Sequence, residues 1–106
     1  MGEVRLRGEL VCDDAAEAAT VAEHLPRHVA LTRAEPGCRS FAVTPTDDPL
    51  VWQVDECFTD AAAFRAHQAR VAASEWGVAT ARIERRYRVE GIVEGAVEGI
   101  PDDPTR

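Results

Sequence analysis

The fold of this 106-residue chain is restricted most by the order in which its hydrophobic periods follow one another. Residues Glu3 to Cys12 place Val4, Leu6, Leu10 and Cys12 on one side and Arg5, Arg7 and Glu9 on the other, the period-two signature of a strand with one apolar face. Asp13 and Asp14 then offer an N-cap, Glu17 stands in capping-box spacing from Asp14, and Ala18, Val21, Ala22, Leu25 and Val29 recur at helical spacing. This helix is expected to run to about Ala34. Pro26 removes one backbone donor inside it, which predicts a kink or a break into two shorter helices near Leu25. Glu35-Pro36-Gly37 ends it with turn-forming residues.

A second strand from Cys38 to about Thr44 leads into Pro45-Thr46-Asp47-Asp48-Pro49. A third, Leu50 to Phe58, follows closely enough to pair with it as an antiparallel hairpin. Thr59 or Asp60 caps a second helix, in which Phe64, His67 or Gln68, and Val71 share one side. Ser74 to Arg82 reads as a further helical turn or two around Trp76 and Gly77. From Ile83 to Ile92 the period of two returns, with Ile83, Arg85, Tyr87 and Val89 opposed to Glu84, Arg86, Arg88 and Glu90. The result is an α+β domain of order β-α-β-β-α-β with a four-stranded antiparallel sheet, occupying residues 1–92. The remaining residues, 93–106, form a glycine-containing acidic tail in which the VEG repeat begun at Val89 continues. This tail either trails from the domain or extends the last strand onto a partner subunit.

With helices on one face, the other face of the sheet carries Arg5, Arg7, Glu9, Gln53, Asp55, Arg86 and Arg88, mixed charges able to pair across strands. Four strands and two helices make a thin domain, so a homodimer that joins two sheets and encloses this face is expected.

Charge and composition narrow the partners. A net charge of -7 opposes binding to nucleic acid and to anionic membrane surfaces, leaving small molecules and proteins. The N-terminal run has no apolar stretch suited to a signal peptide or membrane span, and the cysteines Cys12, Cys38 and Cys57 form no C-x-x-C pair. A cytoplasmic protein with reduced thiols is the expectation. The absence of lysine from the sequence rules out Schiff-base chemistry, and no nucleotide-binding, nucleophile-elbow or metalloprotease motif occurs.

Glu56 is the residue most out of place. It occupies the apolar phase of the third strand, Leu50, Trp52, Val54, Glu56, Phe58, and should point inward. A carboxyl group among apolar neighbours is costly unless it is paired, hydrogen-bonded or protonated, so Glu56 is either a group of raised pKa suited to proton transfer or a structural glutamate bonded to an arginine or a helix end. His67 leans toward the same layer from the second helix, as a general base near pH 7 or as a satisfied core histidine. His24 and His28 stand at i, i+4, a spacing that can serve a metal. Pro26 lies between them and a third ligand is missing, so the HLPRH stretch reads as helix surface. Trp52, Trp76 and Tyr87 could wall a site for a flat ring or simply fill the core.

The stretches HVALTRAEPGCRSFAV and WQVDECFTDAAAFRAHQA resemble the antibiotic biosynthesis monooxygenase domain family, the resemblance running from about residue 3 to residue 92. Its most specific pieces are Arg33-Ala34-Glu35-Pro36-Gly37-Cys38, the glutamate Glu56 late in the third strand, and Phe64-Arg65-Ala66-His67. The resemblance implies a ferredoxin-like fold, a dimeric α+β barrel, and a pocket between sheet and helices in each subunit. It also implies oxidation of a small aromatic or quinol-type substrate by molecular oxygen without metal, flavin or other cofactor. His67 would then be the base or its relay, Glu56 its partner, and Phe64, Trp76, Tyr87 and Trp52 substrate-binding walls. Relatives that make quinones or degrade haem often use a pocket asparagine, which this sequence lacks, so haem degradation is disfavoured. The family also contains isomerase-like members, so the alternatives are an isomerase or decarboxylase of the same fold and a non-catalytic dimeric small-molecule binding domain.

Overall fold

The computed structural model describes residues 2–91 of the chain. Its elements are β1 (Val4–Val11), α1 (Ala15–Arg33), β2 (Cys38–Pro45), β3 (Val51–Phe58), α2 (Ala61–Ala72), the short α3 (Glu75–Ala79) and β4 (Glu84–Glu90). The four strands form one antiparallel sheet in the order β2-β3-β1-β4, so the sequence-distant β1 and β3 pair at its centre. This is the expected α+β, ferredoxin-like arrangement. The expected tail over residues 93–106 lies outside the described residues.

Local chemistry accounts for the boundaries. The Asp14 side chain accepts from Glu17 N at 2.9 Å, while the Glu17 carboxylate accepts from Asp13 N at 2.7 Å, a reciprocal cap displaced by one residue from the standard box. Asp60 caps α2 by accepting from Ala63 N at 2.8 Å, and Ser74 caps α3 by accepting from Gly77 N at 3.1 Å. Of the kink or break expected near Leu25 from Pro26, the break does not occur: α1 continues to Arg33 as one helix. Both Pro26 and Ala22, whose carbonyl loses its donor, are exposed, so water can satisfy the group that the ring leaves unpaired.

Because paired strands share a face at each register position, side chains fall into rows across the sheet. Phe41, Glu56, Leu6 and Val89 form one such row on the helix-covered face, flanked by rows containing Val54 and Phe58. The core lies between these rows and the helices and includes Val4, Leu6, Leu10, Val21, Phe58, Phe64 and Val71, all essentially inaccessible to solvent. On the other face Arg5 pairs with Asp55 at 3.1 Å across β1 and β3, and Arg7 approaches the same carboxylate at 3.8 Å. No described element covers that charged face. No helix among the described residues is long and apolar enough to cross a membrane.

Candidate functional site

The site is assembled from three places in the chain. Glu56 comes from the middle rows of the sheet, His67 and Arg70 from one side of α2, and Glu35 from the connection between α1 and β2. Strand alternation turns Glu56 inward between Leu6 and Phe41, and its side chain is only 4% exposed. Helical phase turns Phe64, His67, Gln68 and Val71 of α2 onto the same interior, where the His67 side chain is 1% exposed. The two residues singled out from the sequence are thus brought together: Nε2 of His67 stands 3.7 Å from Oε1 of Glu56.

The other ring nitrogen is engaged by a residue that the sequence placed in a helix stop and in the family-like segment but gave no chemical role. Nδ1 of His67 lies 2.9 Å from Oε1 of Glu35, and the second oxygen of that carboxylate accepts from Nε of Arg70. Arg70 also donates to Thr32 Oγ1 at 3.0 Å, tying α2 back to the end of α1. A carboxylate only accepts, so His67 donates from Nδ1 and its Nε2 presents a lone pair toward Glu56. The chain of groups is therefore Glu56, His67, Glu35, Arg70 and Thr32. Two signals in the sequence point to the missed members: Arg70 follows His67 by three residues and so shares its helix face, and Glu35 sits in the family-like Arg33–Cys38 segment.

Burial sets the protonation of Glu56. Burial, reinforced by the negative charge of Glu35 and opposed by Arg85, pushes Glu56 up to about 8, so it carries its proton at neutral pH. Burial also lowers His67, against the opposing pull of Glu35, and the imidazole is neutral at pH 7. The result is a neutral acid facing a neutral base, with neither Glu56 Oε1 nor His67 Nε2 hydrogen-bonded among the described residues.

A second histidine belongs to this interior. His28, expected on the helix surface, is buried: its ring stacks on Trp76 at a centroid distance of 4.4 Å with planes 2° apart, and meets Phe41 edge-on at 5.2 Å. The reason is the unbroken helix, which carries His28 in phase with the buried Val21 and Thr32. Burial drives His28 down to about 3, so it too is neutral.

An apolar cleft of about 480 Å³ opens beside His67. Phe58, Pro36 and the small side chains Ala62, Ala63 and Ala66 form its walls, with Glu35, His67 and Arg70 as its polar members. Its closeness depends on Gly37, where an added Cβ would come within 2.3 Å of Ala63 Cβ. Glu56 and the expected wall residues Phe64, Trp76, Tyr87 and Trp52 do not border it. Phe64 and Trp76 are core, while Tyr87 and Trp52 are partly buried against the core. A groove of similar size, about 510 Å³, runs along β2. Its arginines are already committed, Arg5 to Asp55, Arg39 to Glu3 and Arg33 to the Phe41 carbonyl, and it lacks a buried acid–base pair. The alanine-walled cleft is the better candidate.

The fold matches known structures, and the sequence matches a known family. Solved structures share the fold: Rv0793 from Mycobacterium tuberculosis superposes with a TM-score of 0.66 at 17% identity, covering 87% of this chain and 96% of the other. A candidate antibiotic biosynthesis monooxygenase from Caulobacter crescentus gives 0.67 at 19% identity, covering 88% and 92%. A similarly described protein from Deinococcus radiodurans gives 0.66 at 19%, covering 86% and 93%. No curated protein matches the sequence. The family model of the antibiotic biosynthesis monooxygenases matches residues 13–77, more than half of the sequence and the segment that supplies every member of the Glu56–His67–Glu35–Arg70 chain, and the protein belongs to that family.

Proposed function

We propose that the chain is a cofactor-independent monooxygenase that oxidises a small aromatic or quinol-type compound with molecular oxygen. The observation that carries this reading is an apolar cleft whose polar end includes His67, hydrogen-bonded to one carboxylate and facing a protonated one. Such a cleft suits a flat ring, and the paired acid and base suit a reaction that begins and ends with a proton transfer.

Take a ring system with an activated CH₂ group. Loss of one proton leaves the electron pair on the carbon, and the carbanion passes electrons to dioxygen. A C–O bond forms, and return of the proton gives a hydroperoxide. The O–O bond then breaks, the second C–H proton leaves with the distal oxygen as water, and a carbonyl remains. One substrate and one O₂ give one carbonyl product and one H₂O, so no external reductant enters. The protein's part is to exclude water, hold the ring, and take up and return the proton at the polar end of the cleft, where Glu35 accepts from His67 Nδ1.

The burial of His67 and Glu56 supports a second reading, a dimeric binding domain without turnover in which both are structural. Incubation with dithranol, which carries such a CH₂ group, under air separates the two. Oxygen uptake with formation of the ring carbonyl supports the monooxygenase. Ring binding without uptake supports the binding domain, and product formation without oxygen supports an isomerase or decarboxylase.

The uncovered charged face of the sheet supports a homodimer closed over Arg5, Arg7 and Asp55. A monomer at micromolar concentration in analytical ultracentrifugation would contradict it.

A further inference from the structure

Of Glu56, His67 and Glu35, only Glu35 offers an accepting atom to what enters the cleft, which the His67 ring and the donor Arg70 also border. Glu56 does not border it, and the His67 side chain is 1% exposed with Nδ1 turned to Glu35 and Nε2 turned inward to Glu56. Glu35 borders the cleft, and its side chain retains 17% exposure. Its two oxygens are held in a fixed plane by donors from one helix, His67 Nδ1 on one and Arg70 Nε on the other, so the carboxylate cannot turn away from the opening. Each oxygen has a further lone pair, and the walls beyond Arg70 and His67 are alanine methyl groups, the Pro36 ring and the Phe58 ring.

We infer that Glu35, rather than His67, is the group that meets the ligand: it accepts the acidic hydrogen of a flat apolar ring whose hydroxyl, or activated C–H, lies at the polar end of the cleft. His67 and Arg70 are positioning residues that aim the carboxylate. The inference rests on the function proposed above. In the reaction the proton leaves the ring carbon for a Glu35 oxygen, the electron pair stays on the ring, and the same proton returns to the distal oxygen after the C–O bond forms. His67 stands behind Glu35 and holds its oxygen through Nδ1–H, with the protonated Glu56 on the far side of the ring. The cleft volume of about 480 Å³ falls in the range typical of small-molecule sites and admits a two- or three-ring system.

The test uses 2-naphthol and 2-methoxynaphthalene, which share a ring and differ in the hydrogen that Glu35 would accept. Binding of each is followed by probe fluorescence with the full chain, and oxygen uptake with dithranol is measured in parallel. The wild-type protein should favour naphthol by roughly ten-fold or more, the ordinary strength of a hydrogen bond to a charged acceptor. Glu35→Gln should cut that preference to within about three-fold, since a neutral amide oxygen is a weaker acceptor, whereas Glu56→Gln should keep it. Ala66→Leu, which fills the cleft without touching the relay, should weaken both probes alike. The inference is overturned if the wild type shows no preference, if Glu35→Gln retains it, if Glu56→Gln abolishes it, or if Ala66→Leu leaves binding unchanged. Absence of oxygen uptake, with the Glu35-dependent preference intact, would overturn the oxidation chemistry alone and sustain Glu35 as the acceptor.

Discussion

Oε1 of Glu56 faces Nε2 of His67 across 3.7 Å in a layer closed to solvent, and neither atom is hydrogen-bonded among the described residues. The two are set there by unrelated periodicities, strand alternation for the acid and helical phase for the base. What this juxtaposition costs and what it enables can be measured separately.

The cost appears as a pH dependence of stability. Glu56 has its folded pKa raised to about 8 from an ordinary value near 4.5, so the folded state holds a proton that the unfolded state releases. Its contribution is fully present below pH 4.5 and is lost as pH rises toward 8, at about 1.4 kcal/mol per pH unit within that window. Urea unfolding of the wild type should therefore show stability falling between pH 6.5 and 8, and Glu56→Gln should flatten that limb. An unchanged slope in the variant would place the titration elsewhere.

The acid limb has a different owner. His28 is lowered to about 3 and His67 is lowered as well, so the unfolded chain binds protons that the folded one refuses. The stability they confer is present above pH 6.5 and lost as pH falls through that value toward 3. His28→Phe keeps a ring against Trp76 and removes the titration, and should shallow the acid limb in the same unfolding series. Trp76→Ala removes the partner ring and should cost about 3–5 kcal/mol at any pH.

Gly37 controls how closely the α1–β2 connection approaches α2. A Cβ there would stand 2.3 Å from that of Ala63, so Gly37→Ala should destabilise by about 1–3 kcal/mol through overpacking. Adding Ala63→Gly should recover most of the loss. A double-mutant cycle showing simple additivity would contradict the direct contact.

Much of this architecture was legible in the sequence, because β1, β3 and β4 each bury one face and caps at Asp14 and Asp60 mark the helix starts. Glu56 was legible for the same reason, as a carboxyl in an apolar phase. The role of Glu35 was not: in sequence it precedes Pro36-Gly37 and reads as a turn, and only the return of α2 onto the sheet brings Arg70 and His67 to its two oxygens. His28 was misread because the effect of Pro26 was overestimated. The exposed proline leaves the helix intact, and the continued phase buries the histidine against Trp76. The wall residues Phe64, Trp76, Tyr87 and Trp52 were chosen for aromatic character, whereas the cleft's apolar walls are Phe58, Pro36 and the alanines Ala62, Ala63 and Ala66, whose small size carries no such signal.

Asp55 sits between Arg5 and Arg7 on the uncovered sheet face. If that face closes a dimer, Asp55→Arg gathers like charges there and should shift the sedimentation coefficient from dimer toward monomer, with the effect growing as ionic strength falls. A dimer insensitive to this substitution would require another interface.

The central claim is that the cleft beside His67 carries oxygen chemistry driven by proton transfer. Its most direct test is oxygen consumption by the wild-type chain and His67→Ala with dithranol as substrate, counting oxygen taken up against carbonyl formed. One O₂ per carbonyl is expected without hydrogen peroxide, and the variant should lose at least about 100-fold in rate, because His67 Nδ1 holds the Glu35 carboxylate that takes the proton. No uptake above buffer, or a rate untouched by His67→Ala, would contradict the account.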